Sequence, residues 1–346
     1  MSLWWTWNRD HNLNVSFTPP TLVSSTTYTF RIHSLTVHLV YEPTDEASTL
    51  DETKLSSAYS VPILKSNLQK AIRRQKTEAA LSTTHQLVLQ DLKSLLRRLP
   101  IISIEDVSWL TDVNRIVWCM AAHSKGFKLR LHQIQLLYKV VWNLCHLSTC
   151  TKWSTPSQSL EPRILIQRQF NILKKSLDPS VLNVRTSVLV RISFGGMKGD
   201  LNLLDWLGHH PKTVVTSSYP SPCFTITPLS FNSSHQLLEA VDFHCTKIGQ
   251  EAAQKFGINP SFMKEIIWTQ RSRVNVRKPW QITPPPYWWE LVNLWLDEES
   301  RRLWLLPPPS LPKRKLNHTS SRSKSPYPSN PYKITDYFQV IPNKNI

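Results

Sequence analysis

The stretch PILKSNLQKAIRRQKTEAALSTTHQLVLQDLKSLLRRL, residues 62–99, decides the fold class. Its apolar residues return every three or four positions. Leu64, Leu68, Ala71 and Ile72 share one helical face, and Leu87, Leu92, Leu95, Leu96 and Leu99 repeat the pattern. That period belongs to an amphipathic helix, not to a strand. Pro100 follows and is expected to end this helix or start the next segment. The same period runs through VNRIVWCMAAHSKGF (113–127) and LHQIQLLYKVVWNLCHL (131–147), divided at Lys125-Gly126. A Ser/Thr/Pro linker covers 148–162, and helices resume at 163–177, 181–193 and 200–208. After a Pro/Ser-rich break at 211–232 come three more. HQLLEAVDFHCTKIGQEAAQKFG (235–257) closes on Gly257, and PSFMKEIIWTQRSRVNVR (260–277) opens on Pro260. YWWELVNLWLDEESRRLWLL (287–306) is the last and is Trp-rich.

The two ends differ from this body. In TYTFRIHSLTVHLVY (27–41), Phe30 and Ile32 lie on one parity and Leu35, Val37, Leu39 and Tyr41 on the other. The parity change at His33-Ser34 predicts a hairpin or a bulge. Residues 1–26, with Trp4, Trp5 and Trp7, read as irregular, and 42–60 as an acidic, Ser/Thr-rich loop. Beyond Pro307 the composition is that of a disordered basic tail. The expected fold is mainly α: a multi-helix body, a short β-containing N-terminal extension and that tail. The expected divisions are 1–60, a helical domain at 61–150, a second helical region at 160–306, and 307–346.

The 346 residues are 40% hydrophobic, enough for a sizeable core, and carry a formal net charge of +17. That excess favours polyanionic partners such as nucleic acid. Seven glycines against 25 prolines argue against Gly-rich nucleotide loops. Five scattered cysteines fit a reducing compartment better than a disulfide framework. The opening MSLWWTWNRDHNL lacks a basic segment followed by an apolar one, so no signal peptide is expected. No apolar run of about 18 residues predicts a membrane span.

The tail holds PYKITDYFQV, residues 331–340, where Ile334, Tyr337 and Phe338 stand at i, i+3 and i+4. One helical turn would put all three on one face, which suits a groove on another protein. These residues resemble the PCNA-interacting box, with Thr335 and Asp336 as its spacer and Lys333 and Lys344 as flanking cations. Pro331 stands where that family has a leading Gln, so one polar contact is missing. The resemblance implies a PCNA-type sliding clamp as partner and a nuclear location. Lys313, Arg314 and Lys315, followed by Arg322 and Lys324, read as a nuclear import signal or a phosphate contact.

Residues 68–107 resemble the helical C-terminal region of RarA-type (MgsA-like) AAA+ proteins, relatives of clamp loaders. Leu68, Lys70, Arg73, Ala79, Ala80, Arg97, Arg98, Glu105 and Asp106 carry the match. The resemblance implies helix packing and oligomerisation. No G-x-x-x-x-G-K-[ST] exists in the chain, so the motor is absent. A reading without homology pairs Arg97 and Arg98 with Glu105 and Asp106 to tie two helices together.

Three further motifs bear on chemistry. FGGMKGD (194–200) is either a tight turn between helices or a backbone cradle for phosphate, with Lys198 adding charge. DFHC (242–245) offers Asp242, His244 and Cys245, read first as a buried polar cluster. Catalysis, or zinc shared with Cys145, His146 and Cys150, are the sharper alternatives. In WTQRSRVNVRKPW (268–280), Arg271, Arg273, Arg277 and Lys278 interleave with Trp268 and Trp280, as suits phosphate contact with base stacking. The sum favours a non-enzymatic DNA replication or repair accessory factor without cofactor, metal or membrane. It would bind DNA without sequence preference through Lys198, Arg271, Arg273, Arg277, Lys278 and Trp280. The alternatives are a DNA-processing enzyme using carboxylates from Asp106, Asp112, Asp200, Asp205, Asp242 and Glu239, or a structural protein that forms homo-oligomers.

Overall fold

A computed structural model describes residues 1–21, 25–43, 59–153, 160–216, 231–242, 246–278 and 287–305. It is mainly α, as the helical period predicts, with a small sheet at the N-terminus. The strands are β1 (Ser2–Trp7), β2 (Leu13–Ser16), β3 (Thr26–Ile32) and β4 (Leu35–Tyr41). The helices are α1 (Val61–Arg73), α2 (Thr77–Asp106), α3 (Thr111–His123), α4 (Leu131–His146), α5 (Pro162–Leu173), α6 (Pro179–Ser193), α7 (Lys198–His209), α8 (Thr246–Phe256), α9 (Pro260–Ile267) and α10 (Tyr287–Leu305). Among the described residues no helix is long and apolar enough to cross a membrane.

Contacts divide the chain into two units. The larger takes Met1–Ser57, Leu64–Leu237 and Asn275–Trp280, and the smaller takes Ala58–Ile63, Leu238–Val274 and Gln281–Ile346. The break expected between 150 and 160 falls inside the larger unit, because α6 packs on α3 and β2, and α7 packs on α2.

In the larger unit the sheet order is β2-β1-β4-β3. β3 and β4 form the expected hairpin, turning at His33 with φ 53°. Residues 1–26, read as irregular, instead supply β1 and β2. β1 pairs antiparallel with β2 and parallel with β4. Leu3, Trp5 and Trp7 alternate inward and are fully buried with Leu35, Val37 and Leu39. The indole of Trp118 on α3 donates to the Trp5 carbonyl at 2.9 Å, fastening sheet to helices.

The apolar face of α1 is buried as the spacing requires: Leu64, Leu68, Ala71 and Ile72 are all inaccessible. α1 stops at Arg73, and Gln75 takes a left-handed φ of 57° before α2 begins. Pro100 does not end α2. It lies inside the helix, where it has no N–H to give the Leu96 carbonyl and its ring crowds that carbonyl. The break comes at Asp91 (φ −155°, ψ 70°), whose side chain caps the second half by accepting from Ser94 N at 2.9 Å. α2 packs on α3 and α4, and α5 on α6 and α7.

In the smaller unit the helix expected over 235–257 is interrupted. A 3₁₀ segment, Leu238–Asp242, precedes α8, and Gly257 ends α8 at φ 66°. The helix expected over 260–277 stops at Ile267 and widens into a π turn, Trp268–Ser272. α8 packs on α9 and α10, and α10 on the 3₁₀ segment.

Candidate nucleic-acid interface

The cations of residues 268–278 divide between two jobs inside the protein. In the smaller unit Arg271 is 4% exposed. Its Nε donates to Asp242 Oδ2 at 2.9 Å, and its Nη1 to Asn293 Oδ1 at 2.5 Å and Asp297 Oδ1 at 2.7 Å. Burial alone would lower the Arg271 pKa, but the Asp242 and Asp297 charges outweigh it and raise it. In the larger unit Arg277 lies at the ends of two helices. It donates to the carbonyls of Ile72 (2.7 Å) and Arg73 (3.2 Å) at the end of α1. It also donates to Leu144 (2.5 Å), Cys145 (3.1 Å) and Leu147 (2.6 Å) at the end of α4. Carbonyls at helix ends lie beyond the intrahelical ladder; Gln75 N reaches Ile72, Val276 N reaches Arg73 and Gln75 Nε2 reaches Leu147, and the guanidinium fork adds a donor to each of the five.

A surface phosphate contact was expected from Arg271 and Arg277, and both are instead buried with their donors committed to the fold. Lys278 is half-buried, donates to the Glu105 carbonyl at 3.0 Å and sits 5.9 Å from the Trp153 ring. Arg273 is half-buried. Trp280 lies outside the described residues, as do His244, Cys245, Lys313, Arg314, Lys315 and the box at 334–338.

The 194–200 turn is built around three arginines. Gly195 adopts φ 72°. Arg97 donates to the Phe194 carbonyl at 2.6 Å, and Arg191 to the carbonyls of Gly195 (2.7 Å) and Arg97 (3.1 Å). Burial, with repulsion from Arg97 and Arg98, brings the Arg191 pKa down to about 10. At the start of α7, Asp200 accepts from the Met197 backbone and stands 3.5 Å from Arg98. A carboxylate thus already occupies the positive end of α7, and the exposed Lys198 is what the turn offers outward.

The expected ties across residues 97–106 form in part. Arg98 meets Glu105 at 3.5 Å and Gln69 at 2.5 Å. Arg97 turns to Phe194 instead, and Asp106 is taken by Arg73 at 2.8 Å. Burial and Asp106 push the Glu105 pKa up, with Arg98 and Arg73 opposing.

Asp112 and Asp205 are held the same way. Asp112 pairs with Arg115 (2.6 Å) and Lys139 (3.6 Å), and Asp205 with Arg168 (3.3 Å). Cys145 is buried and its thiol is pushed up to about 12, chiefly by burial. His146 is exposed and stacks on Trp142 at 3.8 Å.

Sequence reading missed the exposed face of α5. Arg163, Gln167 and Asn171 recur at i, i+4 and i+8, Arg168 flanks them, and Lys174 and Lys175 follow in the turn that ends the helix. That spacing was the available signal. Compared with known protein families, with curated proteins and with solved structures, the chain matches none.

Proposed function

We propose that this protein is a nucleic-acid-binding accessory factor held at sites of DNA replication or repair by a PCNA-type sliding clamp. The observation that carries this reading is the spacing of Ile334, Tyr337 and Phe338 around Thr335-Asp336 in a tail of Pro, Ser and Lys. A +17 chain retained on a clamp would be held next to DNA, where its charge favours contact with phosphate. Lys313, Arg314 and Lys315 suit nuclear import of the same tail. The carboxylates support an accessory role over hydrolysis, since Asp106, Asp112, Asp200, Asp205 and Asp242 each spend their charge on an internal cation.

The test is binding of the full chain to purified PCNA by fluorescence polarisation, with Tyr337→Ala/Phe338→Ala as control. Wild type is expected to bind at micromolar concentration or tighter, about −8 kcal/mol, and the control more than tenfold more weakly. No binding at about 100 μM, or equal binding by the control, overturns the clamp reading.

A further inference from the structure

The outer face of the N-terminal sheet carries an aromatic pair. The parallel register of β1 and β4 sets Trp4 beside His38, and their rings stack at 4.0 Å and 12°. The Thr29 hydroxyl, hydrogen-bonded to His38 Nδ1 at 3.1 Å, fixes the imidazole. Both rings remain half-exposed, whereas Leu3, Trp5, Val37 and Leu39 fill the opposite face. Arg31, opposite Thr36, continues the outer face and is exposed. The hairpin tip then meets α5: His33 lines an open groove of about 630 Å³ with Arg163, Ile164, Gln167, Arg168 and Asn171.

The charge along this path is mainly positive, with the exposed Glu161 at the N-cap of α5 as the acid that precedes it. Residues 162–175 contain Arg163, Arg168, Lys174 and Lys175 and no acid. Arg168 is shared with Asp205. Arg31, Arg163 and Lys175 have no side-chain partner among the described residues, so their donors are available to a ligand. Lys174 lies 4.2 Å over the Phe170 ring, and Ile164 is 52% exposed in the groove.

We infer that this outer sheet face and the exposed face of α5, with the turn that ends it, form one track for single-stranded nucleic acid. Trp4 and His38 stack an unpaired base, and Arg31, Arg163, Lys174 and Lys175 neutralise the backbone. Aromatic platforms beside a positive groove bind single strands with little sequence preference, because every base offers a π-face. A duplex keeps its bases stacked on each other and leaves the platform unused. The inference rests on the reading that the chain binds nucleic acid and assigns that contact to a surface.

The experiment is fluorescence anisotropy of the full chain on a labelled oligo-dT of about 20 nucleotides, against a duplex of equal length. Arg31→Glu/Arg163→Glu/Lys175→Glu tests the cations and Trp4→Ala the platform, with His38→Ala as a second platform variant. Lys313→Glu/Arg314→Glu/Lys315→Glu tests the tail, and circular dichroism confirms that each variant is folded. The track variants are expected to weaken single-strand binding, by about 30-fold for the charge variant and tenfold for Trp4→Ala, with a smaller effect from the tail. If wild type binds and the charge and platform variants bind equally well, the track is wrong and nucleic-acid binding stands. A preference for duplex also overturns the track. If wild type binds neither ligand at about 10 μM, nucleic-acid binding fails and the track with it.

Discussion

His132 shows how one residue's surroundings set a pH dependence. It is the second residue of α4, with its ring 4.5 Å from His11, 6.0 Å from Trp7 and 6.4 Å from Tyr41. Burial brings its pKa down to about 4, and the charges of His11 and Arg130 add to that. The positive end of α4 disfavours the imidazolium in the same sense. An unfolded histidine titrates near 6.5, so between about 6.5 and 4 the unfolded chain binds the extra proton. His132 therefore contributes fully above pH 6.5, and that contribution is lost as pH falls toward 4. The ring is partly exposed, so solvent screening reduces the effect to about 1–2 kcal/mol. Urea unfolding at pH 7 and pH 4.5 should show a larger acid loss for wild type than for His132→Gln. Equal losses would mean that His132 protonates freely in the fold.

At the scale of elements, Arg277 ties together the ends of two helices. α1 ends at Arg73, where left-handed Gln75 lets Gln75 N and Lys76 N close on the Ile72 and Ala71 carbonyls, and α4 ends at His146 on an extended Leu147. One guanidinium gathers five carbonyls from these two ends. Arg277→Ala should cost about 3 kcal/mol or more, because buried carbonyls lose charged donors. Arg277→Lys should recover less than half, since an ammonium has three donors and no planar fork. Urea denaturation of both variants checks this, and a loss under about 1 kcal/mol for Arg277→Ala would show that water replaces the guanidinium. The same residue shows the limit of sequence reading. Helical faces are legible because their neighbours are three or four positions away: α3, α4 and α10 fall close to where periodicity puts them, whereas the helix read over 62–99 divides at 74–76. Arg277 finds its carbonyls 130 to 205 positions away, and Arg271 finds Asp242 at 29. From the sequence both look like a basic surface stripe. β1 was missed for a local reason: the adjacent Trp4 and Trp5 hide an alternation in which Trp5 goes inward and Trp4 outward. Asp91 looked like an ordinary helical position and is where α2 breaks and is capped to restart, nine residues before Pro100.

Across the whole molecule, the question is whether a net charge of +17 acts as a diffuse cloud or through a defined surface. Salt dependence separates the two. Single-strand binding releases counterions, and the slope of log K against log salt is about −0.7 for each phosphate neutralised. Four track cations, Arg31, Arg163, Lys174 and Lys175, then give a slope of about −3 and roughly a 50-fold loss of affinity between 50 and 200 mM salt. Arg31→Glu/Arg163→Glu/Lys175→Glu leaves Lys174, so its slope should flatten to about −1. A diffuse cloud behaves differently. Replacing three cations scattered among 41 lysines and arginines would shift affinity at low salt and leave a steep slope nearly unchanged. The measurement is a titration of labelled oligo-dT at four salt concentrations for wild type and variant. Parallel lines would mean that the charge acts collectively and that no surface on the larger unit organises the strand. Converging lines would mean that a few cations, set by one hairpin and one helix, carry the contact.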